Sequence, residues 1–196
     1  MSGKHRFDLD CLPYPFMGPL KSAPLILLYL SPGLEEFDRE MARTEEGRNW
    51  VMECRTGNQL LPGPEEHRTA WQWWKTRTAV FGKDDDLRSK VAVLEIGANH
   101  SRDFNDYPLL LALPSSRVSV EWAQAVLFPQ AIKGERIVLC LRSAAYWGLP
   151  EDRRFGEALF APRVTRGGHM LNGPMRDEII ELAKAFIIRS PGRVTP

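Results

Sequence analysis

From Ala23 to Asp38 the chain reads A-P-L-I-L-L-Y-L-S-P-G-L-E-E-F-D. Pro24 to Leu30 carries no charge, and the apolar run stops abruptly at Ser31-Pro32-Gly33. A run this short and this uniformly apolar reads as a strand buried on both faces that ends in a tight turn. A buried strand followed by a helical segment opens an α/β sheet. In such sheets ligands gather where loops leave the carboxyl ends of the strands. Ser31, Pro32 and Gly33 are therefore the first candidate site residues.

Composition excludes several classes. At 196 residues, 43% hydrophobic and 26% charged, the chain suits one domain spanning residues 1–196, with 1–11 and 190–196 expected to be flexible ends. A net charge of +1 argues against a binder driven by overall charge, but it permits a local basic face. Cys11, Cys54 and Cys140 are too scattered for a disulfide framework or a four-cysteine cluster. Their pattern favours a reducing compartment and a cytoplasmic protein. No apolar run reaches membrane-spanning length, so no membrane partner is expected.

Further buried strands are expected at Lys90 to Ile96, Arg136 to Leu141 and Glu157 to Ala161. Between them, helical segments are expected at Glu35 to Cys54, Thr69 to Phe81, Val118 to Phe128 and Met175 to Ile188. The proline-rich lead-in from Leu12 to Ser22 reads as irregular chain laid on the sheet. Within it Tyr14 and Phe16 are packing residues or, alternatively, a stacking surface for a base. Trp71, Trp73 and Trp74 read as core and helix contacts. The run Asp84-Asp85-Asp86 reads as a solvated helix start, with no partner ligands for a metal.

The order of elements predicts a three-layer α/β/α fold with a central four-stranded, mainly parallel sheet. Four strand exits then converge. They carry Ser31-Pro32-Gly33; Asn99-His100-Ser101; Arg142-Ser143, where Ser143 is placed to cap a following helix; and the glycine-rich basic loop from Arg163 to Pro174, with Arg166, His169 and Asn172.

P-L-I-L-L-Y-L-S-P-G-L-E-E-F-D resembles the first motif of the uracil-DNA glycosylase superfamily, in particular its mismatch-specific and single-strand-selective branches. The resemblance is closer to uncharacterised bacterial members. It continues through Asn99-His100-Ser101, Leu113-Pro114-Ser115, Ala144-Ala145-Tyr146-Trp147 and Asn172-Gly173-Pro174, and spans roughly Phe16 to Lys184. It implies a uracil-DNA-glycosylase-like domain, monomeric and without a cofactor or metal, that hydrolyses the N-glycosidic bond of a flipped-out uracil, damaged or modified base in single- or double-stranded DNA.

The resemblance also implies roles. Ser31, Pro32 and Gly33 would form the water-positioning edge and the pocket floor, with Phe16 and Asn99 against the base. His169 or Asn172 would donate to the leaving base. Ser101, Arg142, Ser143, Arg163 and Arg166 would hold phosphates. Ser31 stands where the superfamily carries its water-activating side chain, so Asp38 or Glu35 is expected to replace it, with His100 retained beside them. The alternative is a non-catalytic module that binds nucleic acid or a nucleotide in the same pocket. A hydrolase of free nucleotides would need a pocket without the arginine rim.

Overall fold

The computed structural model describes residues 7–102 and 107–189. Within them the chain is α/β, built on a mixed six-stranded sheet. Its strands are β1 (Phe16–Met17), β2 (Leu25–Tyr29), β3 (Val91–Glu95), β4 (Ile137–Cys140), β5 (Arg153–Phe155) and β6 (Leu159–Ala161), in the spatial order β1-β3-β2-β4-β6-β5. The four runs predicted as strands are β2, β3, β4 and β6, and they pair in parallel. The two edge strands are antiparallel and were not anticipated. Both lack the signature of a buried strand: β1 is two residues in a proline-rich stretch, and β5 is the charged, largely exposed R-R-F.

Alternation along β2 sorts its side chains between two cores. Ile26 and Leu28 pack with Ala123, Leu127, Phe128 and Ala131 on one face. Leu25, Leu27 and Tyr29 pack with Trp74, Ile179 and Ala183 on the other. Helices thus cover both faces, which is why the central strands read as continuous apolar runs.

The helices are α1 (Glu36–Arg43), α2 (Glu45–Cys54), α3 (Arg68–Thr78), α4 (Asp84–Leu87), α5 (Tyr107–Ala112), α6 (Pro114–Trp122), α7 (Phe128–Ile132) and α8 (Pro174–Arg189). The single helix expected over Glu35 to Cys54 breaks at Thr44, whose hydroxyl accepts from Gly47 N (3.0 Å) and so starts α2. The helix expected at Val118 begins four residues earlier, at Pro114, which needs no N–H at that position. Ahead of Pro129 the chain widens into a π-helical stretch, Ala123–Leu127, since proline offers no N–H and crowds the preceding turn.

Residues 7–11 are not a loose end. Asp8 N donates to His100 O (2.9 Å), the Asp8 carboxylate pairs with Arg39 (2.8 Å), and Cys11 is buried. The remaining expected flexible stretches, 1–6 and 190–196, lie outside the described residues, as do Asp103 and Phe104.

Chain path fixes where a ligand can sit. From β2 the chain passes through α1 to α4 and returns as β3 on one side of β2; from β3 it crosses through α5 to α7 and returns as β4 on the other side. The loops leaving β2 and β4 therefore part in opposite directions, and a crevice opens at their carboxyl ends.

Candidate active site

A cavity of about 430 Å³ occupies that crevice. Ser31, Pro32 and Gly33 of the β2 exit line it, together with His100, Ser101 and Arg102 of the β3 exit and Arg142 of the β4 exit. Backbone bonds hold these exits in register: Gly97 N donates to Leu30 O (2.8 Å) and Ser101 N to Pro32 O (3.2 Å). Gly97 permits this approach, since a Cβ there would lie 2.7 Å from Leu110 Cδ1 and 3.3 Å from Ser31 Cβ. Trp147 Nε1 donates to Tyr29 O (3.2 Å) and ties the β4 exit to the same point.

The polar centre of the cavity is Asp38, in the first turn of α1. Its Oδ2 accepts from Glu35 N (2.7 Å), half of a capping box, and its Oδ1 lies 3.0 Å from His67 Nε2. His67 precedes α3 and caps it, because Nδ1 accepts from Ala70 N (3.2 Å). That bond assigns the tautomer: Nδ1 is unprotonated, so Nε2 carries the hydrogen and donates to Asp38. His100 is the second buried imidazole. Its Nδ1 donates to Gly33 O (2.7 Å) and lies 3.8 Å from Asp38 Oδ2. Burial pushes the Asp38 carboxyl up, but the hydrogen bonds from His67 and the Glu35 backbone, with the field of His100, outweigh it and hold Asp38 below the ordinary aspartate range. Asp38 is therefore an ionised carboxylate at neutral pH.

The walls are aromatic. Tyr14 and Phe16 come from the lead-in, which Tyr14 N fastens to Ala98 O (2.9 Å). Tyr29 meets Trp73 edge-on with ring centroids 4.7 Å apart, and Arg77 stacks on Trp73 at 4.3 Å. The glycine-rich loop closes this side: Tyr29 Oη donates to Gly168 O (3.1 Å) and Arg77 Nη2 to Gly167 O (3.1 Å). At the end of β3, Glu95 is 9% exposed and lines the same cavity.

Of the residues singled out in the sequence, the cavity brings together Phe16, Ser31, Pro32, Gly33, Glu35, Asp38, His100, Ser101 and Arg142. Six others lie outside its lining. Asn99 is half-buried, displaced by its neighbour His100, which turns inward. His169 is exposed, because Thr165 N bonds His169 O (2.8 Å) and the Val164–Met170 bridge closes a tight turn with the ring outside. Asn172 and Arg163 line a separate, smaller cavity of about 280 Å³ with Asp152, to which Arg163 is paired at 3.4 Å. Arg166 is exposed. Ser143 has a left-handed φ of 58° and caps nothing, since the helix it was expected to start is a four-residue 3₁₀ turn, Ala144–Trp147.

The sequence reading missed His67, Glu95, Arg77, Tyr29 and Trp73 as cavity residues. Trp74 is the fully buried member of its trio, with Nε1 donating to Pro62 O (2.9 Å), while Trp73 on the preceding helical position lines the cavity. A glutamate closing an otherwise apolar strand, V-A-V-L-E, was the available signal for Glu95. Among the described residues no group of three or more His, Cys, Asp or Glu is arranged to hold a metal ion, and no helix is long and apolar enough to cross a membrane.

The chain matches no family model, no curated protein and no solved structure. Its own geometry carries the functional reading. That geometry offers an oriented carboxylate and buried imidazoles in a cavity that aromatic rings and arginines also line.

Proposed function

We propose that the cavity receives one nucleobase turned out of a DNA strand and that the protein hydrolyses its N-glycosidic bond. The observation that carries this reading is the ionised, doubly hydrogen-bonded Asp38 inside the cavity. It supplies the carboxylate that the uracil-DNA-glycosylase resemblance leaves missing at Ser31. As the bond to the base lengthens the sugar gains oxocarbenium character, which a fixed anion stabilises. The same carboxylate orients water towards the anomeric carbon and takes its proton. Tyr14, Phe16, Tyr29 and Trp73 give the extruded base faces to pack on. Arg102 and Arg142, which line the cavity, suit the flanking phosphates. The parallel order of β3, β2, β4 and β6 and the succession of motifs along the chain are consistent with a uracil-DNA-glycosylase-like domain.

A second reading, a non-catalytic base-binding module, is favoured by one feature: both oxygens of Asp38 already hold protein hydrogens. Abasic-site formation, read as alkaline strand cleavage, separates the two. Oligonucleotides bearing uracil, hypoxanthine and modified cytosines are incubated with wild type, Asp38→Asn and His100→Ala. Hydrolysis predicts cleavage of at least one member and a loss of about 100- to 10,000-fold in Asp38→Asn. Binding without product on any member establishes the module instead.

A further inference from the structure

Three carboxyl groups line the cavity; Glu35 is exposed, and the surroundings of the other two, Asp38 and Glu95, drive them apart. Asp38 is clamped by donors; among the described residues Glu95 has none. No described residue donates a hydrogen bond to the Glu95 carboxyl, although the side chain is almost entirely buried. Its oxygens are not among the buried atoms sealed away without a partner, so they open on the cavity that Glu95 lines. An unpartnered buried carboxyl costs stability and repays nothing structurally.

The groups facing it come from every neighbouring element. Tyr29 lies beside it in register on β2, and Phe16 pairs with the preceding residue, Leu94, from β1. Arg142 approaches from the β4 exit and Arg77 from α3. Tyr14, Glu35, Asp38, His67, His100 and Arg102 complete the titratable lining. Arg142 favours the ionised form, but burial outweighs it and raises the Glu95 carboxyl well above the ordinary glutamate range.

We propose that Glu95 is the acid of this site, delivering its proton to the departing base while Asp38 receives the proton of the attacking water. The proposal rests on the glycosylase reading and specifies its substrate class. As the bond between the anomeric carbon and the base nitrogen breaks, its electron pair goes to the base. The Glu95 proton goes to a ring nitrogen or exocyclic oxygen of the base, which departs neutral. Water adds its oxygen to the anomeric carbon and its proton to Asp38. Asp38 then releases that proton to solvent and Glu95 regains one, restoring both groups. Paired carboxyls with opposite protonation are the arrangement for glycosidic cleavage by acid and base in concert. Such a site takes bases that leave poorly as anions, purines and cytosine derivatives, and gives no advantage to a base already able to leave as a stable anion.

The test is a leaving-group series in single-turnover base release, using oligonucleotides with hypoxanthine, cytosine derivatives, uracil and fluorouracil, for wild type and Glu95→Gln. The variant keeps shape and hydrogen-bonding capacity but has no proton to transfer. The expected result is a loss of about 100- to 10,000-fold on hypoxanthine or cytosine derivatives, shrinking below about 10-fold on fluorouracil, whose anion is the most stable of the series. The wild-type rate also falls at high pH through a limb that Glu95→Gln lacks. An equal loss on every base, or no loss, overturns the proposal while leaving the glycosylase reading intact. If wild type releases no base from any oligonucleotide, that reading fails and the proposal with it. Carbon NMR of isotope-labelled glutamate in the wild-type protein gives a readout independent of turnover: a Glu95 carboxylate ionised at neutral pH overturns the proposal even if the variant is inactive or misfolded.

Discussion

Removing the charge-bearing capacity of Glu95 should make the protein more stable, and by an amount that grows with pH. Burial, with no donor among the described residues, raises the folded Glu95 carboxyl well above the ordinary glutamate range, whereas the unfolded chain releases that proton at about pH 4.3. Between the unfolded and the folded titration the native state binds the extra proton. Stability is therefore fully present below the unfolded value and is lost as pH rises towards the folded one. The slope is about 1.4 kcal/mol per pH unit for one proton. Glu95→Gln removes this dependence and leaves every other group in place. Urea denaturation followed by tryptophan fluorescence, run on both proteins at about pH 5, 6 and 7, measures the difference in unfolding free energy. The advantage of the variant should widen as pH rises across this range, by at most about 1.4 kcal/mol per unit. A constant difference refutes the reasoning, because any fixed cost of placing an amide in the cavity cancels between pH values. A destabilising site residue is expected where function sets the residue and the rest of the fold absorbs the cost.

Four other outcomes follow from the geometry. Asp38→Asn should destabilise the protein by about 2 kcal/mol at neutral pH, through loss of a charged acceptor for His67 and the Glu35 backbone. The folded carboxyl sits below the unfolded value of about 3.9, so this contribution is present above that value and disappears as pH falls through the folded one, which denaturation at about pH 7 and 3 tests. Gly168→Ala should cost about 2 kcal/mol in denaturation, because φ there is +79° and a Cβ would meet Tyr29 Cε1 at 2.5 Å, breaking the contact that closes the loop on the cavity. Native-state thiol labelling should be slow at all three cysteines and follow unfolding kinetics, since burial raises Cys11 to about 11 and Cys54 and Cys140 to about 12. Arg142→Ala should weaken oligonucleotide binding by a similar factor across sequences and lower the salt slope by about one, measured by fluorescence anisotropy against salt concentration.

How far the sequence carries depends on whether a feature is local. Pro24 to Leu30, Lys90 to Ile96, Arg136 to Leu141 and Glu157 to Ala161 announce β2, β3, β4 and β6, because a strand covered on both faces must be apolar at every position. The turn at Ser31-Pro32-Gly33 marks a strand exit for the same local reason, and three of the exits it was grouped with do contribute to one cavity. Periodicity also identifies α3 and α8, whose inward residues pack on the sheet.

Only the tertiary structure decided which polar side chains meet. His67 lies 29 residues from Asp38 in a loop with no distinguishing pattern, and it matters because the start of α3 is packed against the first turn of α1. His169 and Asn172 looked as promising as His100, yet a two-residue bridge turns the His169 ring outward while the β3 exit turns His100 in. Glu95 is the sharpest case. In sequence it is the last letter of a strand; in the fold it is a buried carboxyl with no partner among the described residues, beside Tyr29 in the sheet and lining the same cavity as the ionised Asp38. Hydrophobic pattern encodes which face of an element is buried. Which loops converge above that face depends on strand order and helix packing, and these are settled by contacts between residues far apart along the chain.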